Sequence, residues 1–83
     1  MTRDTILTAM RTFVQENFLY TNPDLQVDEK DSLLESGIVD SMGVMEIIDF
    51  LNETFGVTVP DEDITEDNLG SLAVIADYVL ARK

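Results

Sequence analysis

Eighty-three residues with no cysteine, histidine or tryptophan make one domain, close to the lower size at which a single apolar core holds a fold. Disulfides, thiolate metal sites, the usual thiol nucleophile and the usual general base are thereby excluded, leaving only carboxylates and hydroxyls, a poor set from which to build a catalyst. With 45% hydrophobic residues the chain is expected to fold despite a formal charge of -12.

The charge is unevenly placed. Between Asp28 and Asp67 there are thirteen Asp and Glu against one Lys, while the two ends hold four acids and four bases and cancel. This centre repels nucleic acid and anionic membranes and attracts basic protein surfaces. The plainest alternative is a solvated acidic surface kept for solubility.

The opening MTRDTILTAMRTFVQENF mixes polar and apolar positions and carries charges throughout, unlike a signal peptide or a membrane span, so a cytoplasmic location is expected. Ile6, Leu7, Met10, Phe13, Val14 and Phe18 fall at three- and four-residue spacings, predicting a first helix of roughly Asp4 to Phe18 capped by Thr2 or Asp4. Leu19 and Tyr20 complete its apolar contact, and Asn22-Pro23-Asp24 stops it. Residues 22 to 40 form a long connection: an extended run, then one turn beginning near Asp31 and stopped by Gly37 in a left-handed conformation. Leu25, Val27, Leu34 and Ile38 are expected to pin it to the core.

A central helix follows, with Asp40 as N-cap, Val39 and Val44 as a hydrophobic staple, and a Schellman ending at Gly56 in which Val57 packs back on Leu51. Ser41 then lies at the positive end of a helix dipole among unpaired N–H groups, where a phosphate is well placed. Val44, Ile47, Ile48, Leu51 and Phe55 share the core face, while Met42, Met45, Glu46, Asp49 and Glu53 share another, half acidic and half methionine. That second face suits docking of varied partners; the bland reading puts the two methionines at the rim of the core.

Val57-Thr58-Val59-Pro60 reads as extended loop, and DEDITED as a short third helix with Pro60 at its start and Ile64 inward. Asn68 is expected to cap a last helix whose stripe is Leu69, Leu72, Ala73, Ile75, Ala76, Val79 and Leu80, ending in Arg82-Lys83. The predicted architecture is all-α: a small four-helix bundle of three main helices and one short one, with the long loop between helices one and two, and residues 1–83 as a single domain.

Two chemistries fail on spacing. An EF-hand loop started at Asp24 puts Gln26, Asp28 and Glu35 at ligand positions, but Glu29 stands where the sharp turn needs glycine and Pro23 interrupts the incoming helix. One started at Asp61 meets Glu66 and Leu72 at its sixth and twelfth positions. No metal site is expected. Ser41 has no histidine to take its proton, so no catalytic residue is expected either. It remains a residue modified by another enzyme or a plain helix start.

The run G-I-V-D-S-M, followed by an amphipathic helix with an acidic, methionine-rich outer face, closed by F-G-V-T-V-P and an acidic short helix, resembles the acyl carrier protein family over nearly the whole chain. The resemblance implies a four-helix carrier that is not an enzyme. Its Asp-Ser serine, here Ser41, receives 4′-phosphopantetheine covalently from coenzyme A through a Mg²⁺-dependent phosphopantetheinyl transferase, and the arm's thiol holds substrate as a thioester. Further implied partners are an acyl- or amino-acid-activating ligase and downstream acyl-transferring enzymes with basic patches. The implied recognition face is Asp40, Met42, Met45, Glu46, Asp49 and Glu53, with the acids of Asp61 to Asp63 as outlying contacts. Fatty-acid-synthase carriers often have an acid two residues after the serine. Here Gly43 stands there, in a DSMG run closer to D-alanyl carriers and other stand-alone aminoacyl or specialised acyl carriers. The start at Met1 without a flanking linker suggests a free-standing carrier, and a monomer serving a biosynthetic pathway is expected. The rival reading is a helical acidic interaction module without a prosthetic group.

Overall fold

The computed structural model describes residues 2–19 and 27–82. Tyr20, the Asn22-Pro23-Asp24 stop, Leu25, Gln26 and Lys83 lie outside them. Helix α1 spans Arg3–Asn17, α2 Ser41–Phe55, α3 Glu66–Leu69 and α4 Leu72–Arg82, with a 3-10 turn at Asp61–Asp63.

Thr2 caps α1, its hydroxyl accepting from the Thr5 N–H at 3.2 Å. The first stripe is as expected: Ile6, Leu7, Met10 and Val14 are buried, and Phe13 and Phe18 pack partly buried against them. Helix α1 lies on α4, joined at the surface by Arg3 Nε donating to Asp77 at 2.9 Å. A row of rings crosses to α2: Phe18 stands edge-on to Phe13 at 5.9 Å, Phe13 stacks on Phe50 at 4.2 Å, and Phe50 meets Phe55 at 6.0 Å.

The described part of the long connection is held through its backbone. The Leu33 N–H donates to the Gly70 carbonyl at 2.9 Å, and the Ala73 N–H to the Glu29 carbonyl at 2.7 Å. Arg11 Nη1 donates to the Val27 carbonyl at 2.7 Å. The expected single turn is present, with the Ser36 N–H on the Ser32 carbonyl at 3.1 Å, and Gly37 closes it at φ 78°. One side-chain expectation is corrected. Leu33, not Leu34, is the core residue: Leu33 is 1% exposed and Leu34 42%. In a helical turn neighbouring side chains diverge by about 100°, so only one of the pair can face inward.

Helix α2 ends with Gly56 left-handed at φ 71°. Its N–H reaches the Asn52 carbonyl at 2.9 Å, and the Val57 N–H reaches Leu51 at 3.3 Å. This is the simpler left-handed ending plus one longer bond, not the paired Schellman pattern, although Val57 and Leu51 are both buried.

Past Pro60 the expected third helix is divided. The 3-10 turn stops at Asp63, and α3 begins only at Glu66, after an extended Thr65. Asn68 accordingly lies inside α3, its amide donating to the Asp63 carbonyl at 3.0 Å, and does not cap α4. Ser71 does: its hydroxyl accepts from the Val74 N–H at 3.3 Å. Two assignments in the last stripe also change, because Leu80 is 39% exposed and Tyr78 is buried in its stead.

Tyr78 matters to the placement of this segment. Its hydroxyl donates to Asp63 Oδ2 at 2.7 Å, where Arg82 also donates at 3.0 Å, and the Arg82 guanidinium lies 3.6 Å over the Tyr78 ring. Burial first, then the bond to Asp63, pushes the phenol above its ordinary 10.0. The folded state thus holds this proton more tightly than the unfolded state, and its contribution is intact below pH 10.0 and lost as pH rises through the folded value. Thermal melts are expected to show stability declining above pH 10.0, with a smaller decline in Tyr78→Phe. Equal slopes in the two proteins would contradict this assignment.

Candidate functional site

Every local signal around Asp40 serves to start α2 at Ser41. Gly37 reverses the chain, the Val39 N–H returns to the Leu33 carbonyl at 3.0 Å, and Val39 is buried. Asp40 is extended at φ -98°, ψ -177°, and its carboxylate accepts from the Gly43 N–H at 2.7 Å. Its carbonyl accepts the first helical bond, from Val44, at 3.1 Å. Ser41 is therefore the first residue within the helix, exposed, with the N–H groups of Ser41 and Met42 left unpaired by helix geometry.

The two faces of α2 are as the spacing predicts. Gly43, Ile47, Leu51 and Phe55 are buried, with Val44 and Ile48 partly so. Met42 is 78% exposed and Met45 53%, beside exposed Glu46, Asp49 and Glu53. The methionines are thus not the rim of the core, and from Asp40 and Ser41 at its start the candidate set runs along one exposed side of α2 as far as Glu53. The outlying acids divide. Asp61 and Glu62 are exposed, whereas the Asp63 carboxylate is engaged by Tyr78 and Arg82.

Two hollows flank the start of α2, and Ser41 lines the first of them. On one side a mainly apolar groove of about 210 Å³ runs between α2 and the α3 segment, lined among others by Leu34, Val44, Met45, Ile64 and Leu69. Exposed Leu34 is its lip, a role hidden in the sequence because the groove's far wall lies more than twenty residues downstream. On the other side is a more polar hollow of about 300 Å³ between the end of α1 and the start of α2. Gly43 is needed between them: a Cβ there would stand 2.8 Å from both Phe18 Cε1 and Val39 Cγ1. A side chain of any kind, an acid included, forces the ring or the buried valine to shift.

A family model described as a phosphopantetheine attachment site matches residues 10–79. The chain belongs to the phosphopantetheine-dependent carrier proteins. It is 29% identical over 62 residues to the D-alanyl carrier protein of Bacillus velezensis, covering 75% of this chain and 72% of that one. A chain of a solved structure described as "Crystal structure of FAD-dependent dehydrogenase" matches its fold with a TM-score of 0.74 at 24% identity, over 84% of this chain and 97% of that one. As a family member the carrier bears 4′-phosphopantetheine covalently and is not a catalyst, which decides against an interaction module without a prosthetic group. Membership also implies a transferase that attaches the group and a ligase that loads it. Among the described residues no helix is long and apolar enough to cross a membrane.

The Asp40 cap is open to direct measurement. Asp40→Ala is expected to lower stability by about 1 kcal/mol in urea unfolding, with Asp40→Asn retaining most of it. An unchanged midpoint for Asp40→Ala would show that the cap bond adds nothing.

Proposed function

We propose that Ser41 is the residue that carries the 4′-phosphopantetheine arm, and that the carrier shuttles a thioester-bound substrate between enzymes of a biosynthetic pathway in the cytoplasm, acting as a single domain over residues 1–83. The observation that carries this reading is the exposed Ser41 hydroxyl at the unpaired N-terminus of α2, inside the matched region. The residues there fit the group. A phosphodiester on Ser41 gains from the helix dipole and from N–H groups that have no other partner. Bound there, the group supplies a thiol that the chain, lacking cysteine, does not have.

The chain's own part is to position and to be recognised. Asp40 takes the capping role and so leaves the Ser41 hydroxyl free for a transferase. Met42, Met45, Glu46, Asp49 and Glu53, with Asp40, form the docking face for that transferase, for an acyl- or amino-acid-activating ligase and for acyl-transferring enzymes with basic patches. Screened carboxylates at such a rim speed encounter more than they tighten the complex, as a monomeric shuttle requires. The D-alanyl cargo named for the Bacillus velezensis relative supports a small aminoacyl group as the substrate, in keeping with the DSMG run.

Incubation with coenzyme A, Mg²⁺ and a broad-specificity phosphopantetheinyl transferase is expected to add one arm to the wild-type protein and none to Ser41→Ala, read by intact-mass spectrometry. Addition to the Ser41→Ala protein would overturn the assignment. So would an unmodified wild type beside a carrier that the same transferase does modify.

A further inference from the structure

The described thioethers of this chain divide into two classes. Met10 is fully buried in the core, whereas Met42 is 78% exposed and Met45 53%. With no cysteine and no tryptophan in the sequence, exposed thioethers are its most easily oxidised side chains. Both of the accessible ones stand beside Ser41. Met42 follows it directly and lines the polar hollow, while Met45 comes four residues later and lines the apolar groove together with Ser41, Leu34, Val44 and Ile64.

Positions four apart in a helix are neighbours on its surface, and long side chains lean back toward the helix N-terminus. Met45 is therefore carried over the turn that begins with Ser41. As a thioether its sulfur is only a weak acceptor and leaves the serine hydroxyl alone. A sulfoxide oxygen is a strong acceptor, and the side-chain donor one turn back along the helix is that hydroxyl. The other polar side chains nearby do not compete, since Asp40, Glu46 and Asp49 are acceptors and the sequence has no Lys or Arg from Asp31 to Ala81. We propose that Met42 and Met45 form a reversible oxidation site, and that the sulfoxide of Met45 takes the Ser41 hydroxyl as its donor and so withdraws the serine from the transferase. The oxidant is hydrogen peroxide. Its O–O bond breaks, one oxygen joins the thioether sulfur, which gives up two electrons, and the other leaves with both protons as water. A methionine sulfoxide reductase reverses the step while two thiols become a disulfide and the oxygen leaves as water. Met10, sealed in the core, is spared, so the fold survives. That oxidation slows loading rests on the function proposed above; the order in which the thioethers react does not.

The test treats the full chain with limiting hydrogen peroxide, removes the excess with catalase and reads two quantities. Peptide mass mapping is expected to show Met42 and Met45 oxidised about ten-fold faster than Met10. Arm addition from coenzyme A by the phosphopantetheinyl transferase is expected to be several-fold slower than on the unoxidised protein, and to recover after treatment with reductases for both sulfoxide epimers. With each variant compared to its own unoxidised form, Met45→Leu is expected to lose most of the peroxide effect and Met42→Leu to keep it. Oxidation of Met10 at the same rate, an unaltered loading rate, or a loss that Met45→Leu does not remove would each overturn the proposal, as would loss of the helical circular dichroism on oxidation. Should the unoxidised chain take no arm, it is the function proposed above that fails. The Ser41 amide signal in a ¹⁵N spectrum, expected to shift when the wild type is oxidised and to stay in place in Met45→Leu, then decides the proposal without the transferase.

Discussion

The bond from the Gly43 N–H to the Asp40 carboxylate is the constraint on which the site depends. Asp and Ser are both good helix caps, and they stand side by side at this boundary. Had α2 begun one residue later, the Ser41 hydroxyl would itself have been drawn into capping and turned toward the backbone. Because Asp40 takes that place, Ser41 enters the helix with its hydroxyl uncommitted. The left-handed Gly37, the Val39 return to Leu33 and the close packing of Phe18 and Val39 on Gly43 all bear on the same point.

From that start the remaining features fall into place. The buried face of α2 binds it to the core through Ile47, Leu51 and Phe55, and the row of rings from Phe18 to Phe55 ties it to α1. The opposite face is thereby obliged to look outward, with its methionines and carboxylates together. On the function proposed above, the carrier is found by several proteins and released by each. Exposed carboxylates suit steering and flexible methionines suit adaptation, and neither is expected to hold a partner for long.

Much of this was legible in the sequence, for reasons that can be named. Helix periodicity separates the two faces of α2, and local capping chemistry marks Asp40, Gly37 and Gly56, because each of these signals acts within a few residues. Local spacing misleads where the deciding contact is distant. Leu34 and Leu80 look like core residues by spacing, yet tertiary packing selected Leu33 and Tyr78. Asn68 resembles a cap, but the bond to the Asp63 carbonyl and the break at Thr65 moved the start of α4 to the far side of Ser71. The walls of both hollows beside Ser41 come from separate stretches of chain, so no local pattern contains them. Gly43 is the instructive case: as sequence it is a missing acid, and as structure it is the space that Phe18 requires.

In the function proposed above, one hydroxyl, at the start of α2, bears the arm. Fragmentation mass spectrometry of the protein purified from its native host addresses it directly by locating the phosphodiester among Ser32, Ser36, Ser41 and Ser71. The modification is expected on Ser41 alone, carrying a small aminoacyl thioester where the cargo survives. A phosphopantetheine group found on any other residue would contradict it.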